Sequence, residues 1–183
     1  MTHSEISHHR LVSQKLHKTT KCSPQEIVHY LGAMQAQDYA MAKWAVGSRC
    51  DASETEIEEA VNSGKIIRTH ILRPTWHFVS ADDIYWMLDL SAPQVKKFTA
   101  SAAKKYGFDS KKLDQINTSI EKLLARNNHL TRDEIMQELD IKKTSKEDFL
   151  SAAIMMNAEL DGLVCNGKMN GKQITYALLE ERV

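Results

Sequence analysis

The sequence predicts a mainly α protein with small β-hairpins, an α+β fold made of tandem winged-helix units. Three observations carry this reading. Seven glycines and three prolines in 183 residues are few for a turn-rich all-β chain. Helix-start signals recur, each followed by apolar residues at helical spacing. The order helix, glycine, short hairpin occurs twice.

Met1 to His9 is polar and His-rich, which suits a mobile, exposed terminus rather than a secretory signal. Ser23-Pro24-Gln25-Glu26 is a capping box with proline at the first helical position, and Ile27, Leu31 and Met34 follow at helical spacing. That helix is expected to end around Gln35-Ala36-Gln37, at a junction where Asp38 caps a second helix from Tyr39 to Ser48. Ser53-Glu54-Thr55-Glu56 opens another helix, closed by Gly64. A hairpin follows, Ile66 to Leu72, a turn at Arg73-Pro74, then Thr75 to Val79. Ser80-Ala81-Asp82-Asp83 resembles a further capping box. A boundary near residues 89–95, around Pro93, would divide the chain into units 1–90 and 91–183.

In the second unit Ile116, Ile120, Leu123 and Leu124 form one core stripe. Thr131-Arg132-Asp133-Glu134 is the clearest capping box, with Leu130 and Ile135 placed to staple across it. Helix 131–139, a turn at 140–145 and helix 146–161 make a helix-turn-helix, with Phe149, Ala153, Met156 and Leu160 as a core stripe. Gly162 ends it. A second hairpin then runs from Leu163 to Cys165 and from Ile174 to Leu179, joined by Asn166 to Gly171.

Composition narrows the function classes. Cys22, Cys50 and Cys165 are far apart, which argues against a disulfide framework or a thiolate zinc site. No metal or cofactor is expected. The same unpaired cysteines make a reducing cytoplasm the expectation, and no apolar run approaches the ~20 residues a bilayer span needs. The formal net charge is zero, unlike a generic basic nucleic-acid binder. Charge is nonetheless uneven, because Lys96, Lys97, Lys104, Lys105, Lys111 and Lys112 make a positive stretch relieved by Asp109. The second helix of the helix-turn-helix offers Glu147, Asp148, Glu159 and Asp161 with Lys146 at its start, so it is not expected to enter a major groove. Lys168 and Lys172 on the second hairpin are candidate phosphate contacts.

Two stretches carry candidate chemistry. Gln35 and Gln37 would serve one site only if a helix ends around them, since positions two apart on a continuous helix diverge. On their own they read as amides satisfying backbone groups at a helix junction, ahead of a catalytic role. Arg68, His70, Arg73 and His77 cluster around the first hairpin. Strand alternation puts Thr75 and His77 on one face and Trp76 and Phe78 on the other. With Trp76 and Phe78 facing the core, His77 is expected to face a groove. The plain alternative is a wing decorated with a histidine and two arginines.

Taken together, Gly32-Ala-Met-Gln-Ala-Gln37 and Arg68-Thr-His-Ile-Leu-Arg-Pro-Thr-Trp-His77 resemble the AlkZ-type winged-helix DNA glycosylases, through their Gln-aliphatic-Gln motif and an Arg-x-x-x-x-Arg-Gly-Thr-x-His pattern. Pro74 stands where that pattern has glycine. The resemblance implies that Gln35 and Gln37 are a catalytic pair. It also implies that His77, with Arg73, Arg68 and Thr75, lines a groove for alkylated double-stranded DNA. Family members run on for about as long again, so this chain is expected to be a truncated or shortened form. A non-catalytic winged-helix module binding DNA or protein is the alternative, and it draws support from the zero net charge.

Overall fold

A computed structural model describes residues 1–19, 21–105, 109–141 and 145–183, with side chains of 98–105 and 145–148 excluded. In chain order the elements are α1 (His3–Ser13), α2 (Pro24–Leu31), β1 (Ala33–Gln35), α3 (Tyr39–Gly47), α4 (Glu54–Asn62), β2 (Ile66–Ile71), β3 (Arg73–Ser80) and α5 (Ile84–Lys105). They continue as α6 (Ser110–Leu124), β4 (Leu130–Thr131), α7 (Arg132–Glu138), α8 (Ser145–Leu160), β5 (Val164–Asn166) and β6 (Thr175–Leu178), with a 3-10 turn at Leu179–Glu181. Two small antiparallel sheets result, ordered β1-β3-β2 and β4-β6-β5. The two orders are equivalent: in each, a short first strand pairs with the last, and the middle strand takes the other edge.

Local signals placed most helix starts. Ser23, Ser53 and Thr131 each form a complete capping box, and Asp38 caps α3 through Met41 N. Leu130 and Ile135 join one core. The turn between β2 and β3 is made by Leu72 at φ 63°, one residue before the expected Arg73-Pro74. Pro74 therefore starts a strand, on an exposed end that β1 does not reach, where a missing N–H costs no ladder bond.

Several expectations are corrected. His3, His8 and His9 lie on α1, a capped but wholly surface helix. Met34 leaves the predicted α2 stripe and enters β1, because Gly32 at φ 75° ends the helix two residues earlier. The division expected near Pro93 falls within α5, which continues through the proline where a loop would be the simpler linker. Pro93 and Asp89, whose carbonyl the proline frees, are both exposed, so water can satisfy that carbonyl. Of the expected α8 stripe Leu160 is buried and Met156 packs beside it, but Phe149 is 52% exposed, and the helix also buries Ile154, Met155 and Ala158.

The first sheet is covered on both faces. Met34, Ala36, Ile66 and Phe78 pack with α2, α3 and α4 around Ile27, Val28, Val46, Ile57 and Val61. Ile67, Ile71 and Val79 pack on α5 through Ile84, Met87, Leu88 and Val95, and there Leu160 and Cys165 of the second half complete the cluster. The second sheet encloses its own core with Ile120, Leu124, Ile135, Ile154 and Tyr176. The C-terminal end ties the halves further. Arg182 donates to the α4 carbonyls of Asn62 and Val61 at 2.7 and 2.6 Å, and its own carbonyl lies 2.3 Å from where a Cβ on Gly64 would sit. Only glycine, also at φ 83°, fits there. Among the described residues no helix is long and apolar enough to cross a membrane.

Candidate active site at the open end of the first sheet

Gln35 and Gln37 are brought to one surface by extended backbone, not by a helix junction. Burial alternates as Met34 in, Gln35 out, Ala36 in, Gln37 out, the period of a strand. Sequence inspection could not decide this, because a three-residue strand has no periodicity of its own. In the ladder Gln35 is the register partner of His77, which is in turn the partner of Thr69. Partners share a face, so Gln35, His77 and Thr69 lie side by side. Alternation adds Arg73 and Thr75 to that face.

The side-chain geometry is specific. Arg73 Nη2 donates to Gln35 Oε1 at 2.6 Å. Trp76 N–H donates to Gln37 Oε1 at 3.2 Å. Each amide oxygen is thus held by one donor, and each keeps a second lone pair. His77 Nδ1 lies 2.8 Å from the Thr75 carbonyl. A carbonyl only accepts, so Nδ1 carries the proton and Nε2 has the lone pair in the neutral ring. Burial holds the His77 pKa below its ordinary value. The Thr75 bond opposes that shift, and the Arg73 charge adds to it. The site therefore presents neutral amides and a neutral imidazole beside one arginine. Thr69 and Thr75 also hold buried hydroxyls with no partner among the described residues.

His77 is only 4% exposed, so it backs the surface from below rather than facing an open groove. Arg68 departs further from expectation. It is 2% exposed, with its guanidinium turned inward, so it offers no surface to a nucleic acid. Lys168 and Lys172 are exposed on the β5–β6 loop; the Lys168 backbone N–H is anchored on His129 Nδ1 at 2.9 Å. The same loop brings Gln173 and Ile174 against Trp76, Arg132 and Tyr176 around an open cleft of about 270 Å³.

Of the acidic residues expected to repel phosphate, Glu159 is fully buried. It accepts from Trp76 Nε1 at 3.2 Å and pairs with His70 Nδ1 at 2.5 Å. Asp161 accepts from Lys96, Asn117 and Asn157. Lys146, Glu147, Asp148, Lys104 and Lys105 fall outside the described side chains. Asn166 and Glu159, both at the site's inner wall, were missed as site residues. They lie about ninety positions beyond the hairpin, and nothing in local spacing links them to it. Among the described residues no group of three or more His, Cys, Asp or Glu is placed to hold a metal ion.

A family model described as "DNA glycosylase AlkZ-like" matches residues 28–183. Among solved structures, Streptomyces sahachiroi DNA glycosylase AlkZ is similar at 22% identity with a TM-score of 0.70, over 93% of this chain and 47% of that one. The chain therefore spans about half the length of that relative, and the likeness shows the fold. No curated protein matches the chain.

Proposed function

Because the chain belongs to the AlkZ-like DNA glycosylase family, we propose that it acts on alkylated double-stranded DNA and hydrolyses the N-glycosidic bond of N-alkylated purines, or unhooks crosslinks, with Gln35 and Gln37 as the catalytic pair. The observation that carries this reading is the exposure of both amides on one face, each oxygen held by a single donor. Loss of a base develops positive charge on the sugar, as in glycoside hydrolysis. A purine alkylated on a ring nitrogen leaves already cationic and needs little acid catalysis. A fixed amide oxygen then suffices to orient the attacking water, and a second sets its dipole toward the developing cation. A neutral His77 adds no opposing charge. Arg73 engages Gln35 and, with Thr75 on the same face, is proposed to contact the DNA backbone. Lys168 and Lys172 are proposed as outer phosphate contacts.

The architecture is read as two winged-helix units, 1–90 and 91–183, each with a three-stranded sheet of the same order; the division falls inside α5. Duplex binding is expected to be weak and to fall steeply with salt, as phosphate contacts do. The experiment is release of N7-methylguanine from a defined duplex under single-turnover conditions, with duplex binding titrated at several salt concentrations. Base release by the folded protein supports the reading. A folded protein that binds duplex yet releases no alkylated purine would instead favour a non-catalytic binding module.

A further inference from the structure

The ladder between β1 and β3 ends in an exchange. In a continued antiparallel pair Ala36 and Trp76 would trade two backbone bonds. Only one is made, Ala36 N–H to the Trp76 carbonyl at 2.7 Å. The Ala36 carbonyl instead accepts from Arg68 Nε at 2.9 Å, and the Trp76 N–H goes to the Gln37 side chain. Arg68 also donates to the Gln37 carbonyl at 3.4 Å and to Asn166 Oδ1 at 2.6 Å. Its guanidinium lies 4.3 Å from the centre of the Trp76 ring.

We propose that Arg68 is a positioning residue for Gln37 of the glutamine pair, and that Asn166 of β5 sets Arg68. The guanidinium occupies the Ala36 carbonyl, which leaves the Trp76 N–H for Gln37 Oε1. It also holds the Gln37 carbonyl directly and lies against the ring of the residue that holds its side chain. Gln37 is thus fixed from both ends by one buried cation. Arg68 and Asn166 are 2% and 3% exposed, so the contact is screened from water. Among the described residues Asn166 Nδ2 has no partner. Burying an unmatched donor is unfavourable, so the amide is poorly explained as packing and is accounted for by the bond to Arg68. The second half of the chain thereby fixes the site carried by the first. A lysine cannot reproduce this, because one ammonium lacks the planar fork that reaches three acceptors.

The kinetic arm of the test rests on the proposed glycosylase reading, so a second arm does not. In single-turnover assays Arg68→Lys and Asn166→Ala should lower the rate of base release about 10- to 100-fold, the scale of a slightly misplaced group, with the substrate concentration for half-maximal rate unchanged. Arg68→Ala should lose activity and regain part of it with millimolar ethylguanidinium, whereas Gln35→Ala should gain nothing from it. In the second arm, NMR follows the side-chain amide of Gln37 and the backbone amide of Trp76. Both signals should move in Arg68→Lys and in Asn166→Ala, and in Arg68→Ala they should return toward wild type with ethylguanidinium. If wild type releases no base, the glycosylase reading fails and the NMR arm still decides the positioning role. Unmoved signals in folded Arg68→Lys and Asn166→Ala, or unchanged rates there, overturn the proposal.

Discussion

Gln35 and His77 are direct partners across the β1–β3 ladder, and they divide the work between surface and support. Gln35 is exposed and takes the Arg73 guanidinium at 2.6 Å. His77 lies buried beneath, its Nδ1–H committed to the Thr75 carbonyl. One position from each of two strands thus supplies an exposed amide and a buried imidazole side by side on the same face.

Arg73→Ala should separate function from stability. Arg73 and Gln35 are both exposed, so stability is expected to change by no more than ~0.5 kcal/mol. The Gln35 oxygen loses the Arg73 donor that fixes it, and single-turnover base release should fall about 10-fold, as for a slightly misplaced group. Thermal unfolding alongside the kinetic assay checks both halves.

The His77 pKa is depressed by burial, which fixes the sign of a pH effect. Below the ordinary histidine value the unfolded chain binds a proton that the folded chain resists. Stability is therefore present above pH ~6.5 and is lost as pH falls toward the folded value. His77→Gln should flatten the loss of urea midpoint between pH ~7 and ~5. A residual slope of the same sign should remain from His129, whose pKa burial also lowers.

Glu159→Ala should be severely destabilising, by about 3–5 kcal/mol, because it leaves His70 and Trp76 Nε1 without their buried acceptor and removes the negative charge nearest the buried Arg68 guanidinium. Glu159→Gln retains one acceptor and should cost less. Urea unfolding followed by tryptophan emission measures both.

What was legible in the sequence was local. Ser23, Ser53, Thr131 and Asp38 identify helix starts because a cap is decided within four residues. The pairing of Gln35 and Gln37 on one surface was expected through the wrong element. A helix end was the only local way to align them, whereas the alignment is made by pairing with a strand forty residues later. Arg68 shows the same limit. The family resemblance implied a groove, and its actual partners, Ala36, Gln37 and Asn166, lie 32, 31 and 98 positions away. Glu159 read as repulsive toward phosphate until tertiary packing buried it against His70. Phe149 failed for a related reason: α8 is packed on two sides, so helical spacing alone could not choose its buried face.

The most direct test of the central claim compares Gln35→Ala and Gln37→Ala with wild type in single-turnover release of N7-methylguanine from a defined duplex. Each substitution is expected to lower the rate about 10²-fold, comparable to removing one preorganised polar group at a developing charge. Folding should survive in both, with Gln37→Ala costing about 1 kcal/mol for the orphaned Trp76 N–H. Two folded variants that release base at the wild-type rate would contradict the assignment of the pair.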